Sequence, residues 1–236
     1  MILARAKSII STCSVPLTTV LRITSYSPQD KEKEMEIKDE EILYVGVDCQ
    51  NDFIDGALPN PRAQAKVHAI CEKIRNHKGP LIMTHDTHFT KEQVNCNWPP
   101  ASGVAYEESL EGTKDGKGIP VHCIKLSEGY QIQKDILAAC KSLNEEGKPA
   151  RFFAIDKYTF GWDGWKDYLR FFKFKKIVVF GFVAGICVDS QATIFRALYP
   201  NIPIEVDAAC TAGFTEEDEK AAYLVMRMKQ IDVVNE

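Results

Sequence analysis

The sequence predicts an α/β fold, a three-layer α/β/α domain with a mostly parallel central sheet. Short apolar segments alternate along the chain with segments of helical periodicity, and no internal repeat is present. Strands buried on both faces appear as continuous apolar runs, and helical crossovers make neighbouring strands parallel. The alternation therefore indicates a sheet with helices on both faces.

The strands are predicted from short runs rich in β-branched residues, of which KIVVFGF is the clearest. In chain order they cover residues 42–47, 80–84, 152–155, 176–182, 204–206 and 231–234. The predicted helices, taken from apolar residues at helical spacing, cover residues 63–76, 132–143, 162–172, 188–198 and 216–228. In the last helix, Ala221, Leu224 and Val225 are expected to face the core. A long polar stretch separates residues 90 and 120, and loops of that length are usually functional or disordered.

The length of 236 residues suits one sizeable core, and we expect the folded domain to occupy residues 41–236. Residues 1–40 are predicted to be an N-terminal extension. No acidic residue occurs before Asp30, which leaves three alternatives for residues 1–34: a transit peptide, a disordered tail, or an over-extended start with Met35 as initiator. A cytoplasmic location is expected, with organellar import through residues 1–34 as the alternative.

Composition limits the classes of partner. The formal net charge is -4, which provides no basic field for nucleic acid and no polybasic patch for a membrane. No apolar run is long enough to cross a bilayer. The eight cysteines are scattered, without a CxxC pair, which is typical of free thiols in a reducing compartment. A small molecule is therefore the expected partner.

Candidate site residues follow the predicted strands. Asp48, the Asp86/His88 pair and Cys187 all stand at or just after a strand's C-terminal end. In parallel α/β sheets, ligands bind outside these ends. We therefore expect the four side chains to meet at one edge of the sheet.

Cys187 stands in GFVAGICV, where a strand, a tight turn and a helix follow one another. The first turn of a helix favours thiolate over thiol, and its free N–H groups can hold an oxyanion. The alternative is a buried structural cysteine.

Asp48 and Lys157 are the candidate partners of this thiol. A carboxylate at the end of an apolar strand requires a partner, and it can also exchange a proton with a thiol or a leaving amine. A lysine beside it would keep the carboxylate ionised. The alternatives are a loop-capping aspartate and a solvated surface lysine.

Asp86 and His88 project from the same face of an extended chain, and His122 is the candidate for a third ligand. This donor set suits a divalent metal ion, zinc first, with manganese or iron as alternatives. His85 competes for the ligand role, but its parity directs it to the other face. Local hydrogen bonding of the histidines is the alternative to metal binding.

Taken together, these segments resemble the isochorismatase-like cysteine hydrolases, and within them the nicotinamidase-like branch. The matching segments are VDCQNDF (47–53), HDTH (85–88), PVHC (120–123), the lysine of DKYTF (156–160) and GFVAGICV (181–188). They occur in the family's order from residue 42 to the C-terminus.

The resemblance implies specific roles. It implies a catalytic triad of Asp48, Lys157 and Cys187, a metal held by Asp86, His88 and His122, and a homo-oligomer. It also implies a cis peptide at Val183–Ala184, in the turn that would hold the oxyanion. The presence of Cys187 favours the amidase side of the family over the isochorismatase branch, which lacks this nucleophile.

The expected reaction is cleavage of a small amide to a carboxylic acid and ammonia, with nicotinamide as the first candidate. Phe53 matches the family's aromatic pocket residue. The tryptophan that nicotinamidases commonly place near the third metal ligand is missing from GKGIPVHC, so Tyr158, or Phe160, Trp162 or Trp165, is expected to supply the other wall. Another amide, a carbamoyl substrate and a non-catalytic binding homologue stay open as alternatives.

Overall fold

Six parallel strands form one sheet in the order β3-β2-β1-β4-β5-β6. The computed structural model describes residues 37–90, 92–93, 119–144, 146–147 and 149–236. The strands are β1 (Ile42–Val47), β2 (Leu81–Asp86), β3 (Phe152–Lys157), β4 (Lys176–Phe182), β5 (Ile204–Ala212) and β6 (Asp232–Val234). The helices are α1 (Pro61–Asn76), α2 (Lys134–Lys141), α3 (Trp165–Leu169), α4 (Asp189–Leu198) and α5 (Glu216–Met228). The predictions for the N-terminal extension and for most of the loop after residue 90 lie outside the described residues.

Two apolar clusters, one on each face of the sheet, confirm the three-layer prediction. Residues of α1 and α2 pack with one cluster, represented by Ile70 and Ile136. Residues of α3, α4 and α5 pack with the other, represented by Trp165 and Phe195. Both faces of the sheet are therefore covered, as the apolar strands require.

Local side-chain chemistry sets where several helices begin. Asn60 caps α1 by accepting the N–H groups of Arg62 (3.0 Å) and Ala63 (3.3 Å), with Pro61 in the first helical position. Thr215 caps α5 by accepting the N–H of Asp218 (3.1 Å). These caps satisfy N–H groups that the helices leave unpaired.

The inward face of α5 differs from the prediction. Leu224 is 61% exposed, and Ala222, Tyr223 and Met226 are the residues buried against the core. The reason is Glu219, whose buried carboxylate accepts the N–H of Gly213 (2.9 Å) and also binds Arg62. Positions three, four and seven residues after Glu219 then share its inward face.

Other elements differ from the prediction only in their ends. Strand β5 is longer than predicted and α3 is shorter, while β2 and β3 extend to Asp86 and Lys157. The six cysteines that the structure describes are buried free thiols. None of the described helices has the length and apolar character needed to cross a membrane.

At Gly181 of β4, the backbone of β1 lies so close that no side chain fits. Its φ is +118°, and a Cβ there would lie 2.1 Å from the carbonyl oxygen of Val47. We predict that Gly181→Ala lowers the free energy of unfolding by more than about 2 kcal/mol, since two central strands must separate. Urea unfolding followed by circular dichroism measures this change.

Gly147→Ala is the control, because its φ is +77° but nothing lies within 4 Å of a Cβ there. This variant should lose only about 1 kcal/mol, the backbone contribution alone. Equal losses in the two variants would show that strand proximity at Gly181 is unimportant.

Candidate active site

The predicted site residues meet at the C-terminal edge of four adjacent strands. Asp48 directly follows β1, Asp86 ends β2, Lys157 ends β3, and Cys187 lies in a π-helical turn after β4 (Ala184–Val188). Asp86 and Lys157 are register partners across β2 and β3. Parallel strand order therefore gathers residues that are far apart in sequence.

Lys157 lies at the centre of this group, with a fully buried side chain. Its Nζ is 2.7 Å from Asp48 Oδ2, 3.1 Å from Asp86 Oδ1 and 3.6 Å from Cys187 Sγ. It also donates to the Thr159 carbonyl (3.1 Å). Burial works to lower the pKa of Lys157, but the charges of Asp48 and Asp86 raise it above its usual value. The lysine is therefore a permanent cation.

Asp48 is buried between two hydrogen-bonding neighbours. Thr84 Oγ1 donates to Asp48 Oδ1 (2.6 Å) and accepts the Asp48 N–H (3.1 Å). Burial raises the pKa of Asp48, and the charge of Lys157 partly opposes that rise. A carboxyl with a raised pKa is suited to accepting and returning a proton.

The surroundings of Cys187 oppose the predicted thiolate. Burial raises the pKa of Cys187 well above its usual value, and the charge of Asp48 adds to the rise. The opposing charge of Lys157 does not overcome this loss of solvation. Asp48 and Cys187 both contact the Lys157 ammonium, at 2.7 Å and 3.6 Å, so one buried cation brings the carboxylate and the thiol together.

The cis peptide lies at Phe182–Val183, one residue before the predicted Val183–Ala184 bond. The reason is that β4 ends at Phe182, and Ala184 already begins the helical turn. The carbonyl of Val183 accepts the N–H groups of Ile186 (3.0 Å) and Val188 (3.2 Å). This turn holds Cys187 at the sheet edge.

Asp86, His88 and His122 form a compact donor cluster, with one ligand atom from each residue within 4.8 Å of the others. The Nε2 atoms of His88 and His122 lie 3.1 Å and 3.3 Å from Asp86 Oδ2. Burial works to raise the pKa of Asp86, but the hydrogen bonds of the two histidines and the charge of Lys157 hold it well below its usual range. His85 lies apart from this cluster, stacked on Tyr130 at 4.7 Å.

Three further residues that the sequence did not single out hold the site in place. Besides Thr84, Gln50 is fully buried, accepts the Asp86 N–H (2.8 Å) and donates to the Asp86 carbonyl (2.9 Å). Asp52 accepts the N–H of Cys123 (2.6 Å), next to His122. Gln50 and Asp52 stand in VDCQNDF beside Asp48. Polar residues that follow a buried strand so closely must find hydrogen-bond partners, and this signal could have indicated them.

The two predicted pocket residues occupy different environments. Phe53 is buried with its ring edge-to-face against His122, at 5.4 Å between centroids. Tyr158 is 44% exposed and lies 5.9 Å from the buried ring of Phe89. Aromatic rings thus lie near both the donor cluster and Lys157.

Thr84 provides a test of how Asp48 is held. Thr84→Val removes the hydroxyl without changing the side-chain shape, leaving one oxygen of a buried carboxylate without its donor. We predict a loss of about 1.5–3 kcal/mol in the free energy of unfolding, measured by urea titration.

Thr211→Val is the matched control. The Thr211 hydroxyl is also buried, but it has no hydrogen-bond partner among the described residues. Replacing it should be neutral or slightly stabilising. A similar loss in both variants would mean that the Thr84–Asp48 bond contributes nothing specific.

Solved structures with this fold include several amidases. The pyrazinamidase of Pyrococcus horikoshii in complex with zinc aligns with a TM-score of 0.61 and 19% identity, covering 83% of this chain and 99% of that chain. A nicotinamidase from Bacillus subtilis gives 0.64 and 15%, covering 83% and 99%. N-carbamoylsarcosine amidase from Thermoplasma acidophilum gives 0.55 and 21%, covering 82% and 95%. At these identities the likeness establishes the fold.

A comparison with curated proteins gave no match. The family model described as the isochorismatase domain matches residues 43–235. Because this match runs from β1 through β6, the chain belongs to the isochorismatase family.

Proposed function

We propose that this chain is a cysteine amidohydrolase that cleaves a small amide to a carboxylic acid and ammonia. The observation that carries the proposal is the buried Lys157 ammonium, in contact with Asp48, Asp86 and the Cys187 thiol. A binding protein has no need for an acid, an amine and a thiol converging on one turn. A nucleophile beside a base that a third group orients is the general signature of covalent catalysis.

In the first half of the reaction, Cys187 forms a thioester. Asp48 accepts the thiol proton as the sulfur attacks the amide carbonyl, so that a C–S bond forms and the carbonyl oxygen becomes an oxyanion. The C–N bond then breaks, and the proton on Asp48 passes to the leaving nitrogen, which departs as ammonia. The raised pKa of Asp48 suits both transfers.

In the second half, water hydrolyses the thioester. Asp48 accepts a proton from the attacking water as the water oxygen bonds to the carbonyl carbon. The C–S bond then breaks, and Asp48 returns the proton to the sulfur. Lys157 stays charged throughout and stabilises negative charge on the sulfur and on Asp48.

The turn after β4 supplies the oxyanion donors in this proposal. The N–H groups of Ile186 and Val188 are occupied by the Val183 carbonyl. We assign the oxyanion to the N–H groups of Ala184 and Cys187 in the same turn. Backbone donors fixed in this way need no reorganisation during the reaction.

The donor cluster fits a divalent metal ion. Its chemistry is one carboxylate and two imidazoles, a set that suits zinc first, and also manganese or iron. His122 Nδ1 lies 2.7 Å from the Pro120 carbonyl and donates to it, so Nε2 is the atom that would bind a metal ion. Asp86, His88 and His122 would hold such an ion, which would supply a positive charge that helps orient the substrate.

Nicotinamide is the proposed substrate, with carbamoyl compounds second. Phe53 packs against His122 of the donor cluster, and Tyr158 presents a partly exposed ring beside Phe89; such aromatic surface favours a flat ring over a flexible chain. The likeness to nicotinamidase and pyrazinamidase structures supports this order, and the likeness to a carbamoylsarcosine amidase keeps the second class open.

Removing the nucleophile tests the reaction. We predict that Cys187→Ala reduces ammonia release from nicotinamide by at least about 10³-fold, because no thioester can form. Ammonia is measured by a coupled glutamate dehydrogenase assay, with nicotinamide and N-carbamoylsarcosine compared in parallel. Cys210→Ala, which removes another buried thiol, should keep wild-type activity. Full activity in Cys187→Ala would exclude the assignment.

Metal binding is tested separately from turnover. Equilibrium dialysis of the purified chain with Zn²⁺ should show one ion per chain. We predict that His122→Gln weakens that binding by more than about 100-fold, since it removes one donor. His85→Gln, which changes a histidine outside the cluster, should bind like the wild type. Equal loss in both variants would contradict the assigned ligands.

A further inference from the structure

A groove at the opposite edge of the sheet has the chemistry of a second binding site. Its volume is about 540 Å³. It is bordered by Glu41, by seven residues between Lys166 and Lys175, and by Leu198, Tyr199 and Ile202 at and after the end of α4. Because the strands are parallel and β1, β4 and β5 begin at residues 42, 176 and 204, this is the N-terminal edge. The candidate active site lies at the C-terminal edge.

The floor of the groove is apolar and partly aromatic. It is formed by Leu169, Phe172, Phe174, Leu198, Tyr199 and Ile202. The rings of Phe174 and Tyr199 meet edge-to-face at 5.4 Å, and Phe172 meets Phe153 in the same way at 5.2 Å. Edge-to-face packing keeps these rings in place, so the floor is a preformed apolar surface.

The rim of the groove is cationic. Lys166, Arg170, Lys173 and Lys175 line it, against a single carboxylate, Glu41. Glu41 is already paired with Lys175 at 2.8 Å. Across the described part of the chain, the other three cations form no ion pair. This local excess contrasts with the net charge of -4 for the whole chain.

We infer that this groove binds a small anionic amphiphile, with an aryl or short acyl body on the floor and a carboxylate or phosphate at the rim. Pockets of about 300–1,000 Å³ with an apolar lining and a few polar groups are typical small-molecule sites. The unpaired cations attract and orient an anionic head, while the buried apolar body supplies the affinity. The site is independent of the amide chemistry at the other edge.

The test compares an anionic and a neutral probe that share one ring system. Isothermal titration calorimetry with 2-naphthoate should show saturable binding to the wild-type chain, and 2-naphthylmethanol should bind more weakly. In Arg170→Glu/Lys173→Glu, affinity for 2-naphthoate should fall at least tenfold, while affinity for 2-naphthylmethanol should change less than threefold. Both replaced side chains are exposed, so the fold should be kept, as a circular dichroism melt will verify.

Lys134→Glu/Lys141→Glu is the matched control, because it makes the same change in net charge on exposed positions of α2. It should bind 2-naphthoate like the wild type. The inference is overturned if both double variants lose affinity equally, if the groove variant binds 2-naphthoate normally, or if no saturable binding occurs. It is also overturned if the groove cations are needed only for binding to vesicles of phosphatidylcholine and phosphatidylserine, because the ligand would then be a lipid surface. Amide hydrolysis should be unchanged in both variants, so this test is independent of the proposed function.

Discussion

A buried ammonium group is the constraint on which the rest of the site depends. Lys157 has no exposed surface. A charged group that is buried away from water is stable only when opposite charges and hydrogen bonds surround it. Asp48 and Asp86 supply those charges from two different strands, and Thr159 accepts a further hydrogen bond. The adjacent strands β3, β2 and β1 therefore place Lys157, Asp86 and Asp48 side by side.

The same lysine joins two parts of the site. Asp86 contacts Lys157 through Oδ1 and the two histidines through Oδ2, so the donor cluster and the thiol share one carboxylate. Two carboxylates and one ammonium leave this group with a negative balance. That balance acts with burial to raise the pKa of the Cys187 thiol. In the proposed reaction, Asp48 is therefore required as a base and does not merely orient the lysine.

The sheet and the grouping of the site could be predicted from sequence, because both follow from local signals. Each strand is an apolar run, and polar residues at the ends of such runs must meet when the strands are parallel. The burial of Phe53 against His122 also fits the predicted pocket role, although Tyr158 is only half-buried. The roles of Asp48, Lys157, Cys187 and the three donor residues stay proposals.

Other features depend on contacts that sequence spacing does not encode. The face of α5 that is buried is set by the bonds of Glu219 to Gly213 and Arg62. Apolar periodicity alone fits a different inward face, with Leu224 and Val225. The run PLIMT predicts only that Thr84 belongs to a strand. Nothing in it indicates that the Thr84 hydroxyl faces Asp48. The state of the Cys187 thiol depends on burial and on charges from other strands, and a local helix-dipole argument includes neither.

The polarity of the parallel sheet explains how one small domain can carry two chemically different surfaces. At the C-terminal edge, chains leave the strands into loops and a helical turn, so polar side chains are buried there with partners from neighbouring strands. At the N-terminal edge, the chain enters β4 from the segment RFFKFKK, in which Arg170 and Lys173 are exposed while the rings of Phe172 and Phe174 pack against the core. Buried charges are thus paired at one edge, and Lys166, Arg170 and Lys173 stay without ion pairs at the rim of the other, within the described residues. Since the two surfaces lie at opposite ends of the same parallel strands, the length of the sheet separates the groove from Lys157 and its partners.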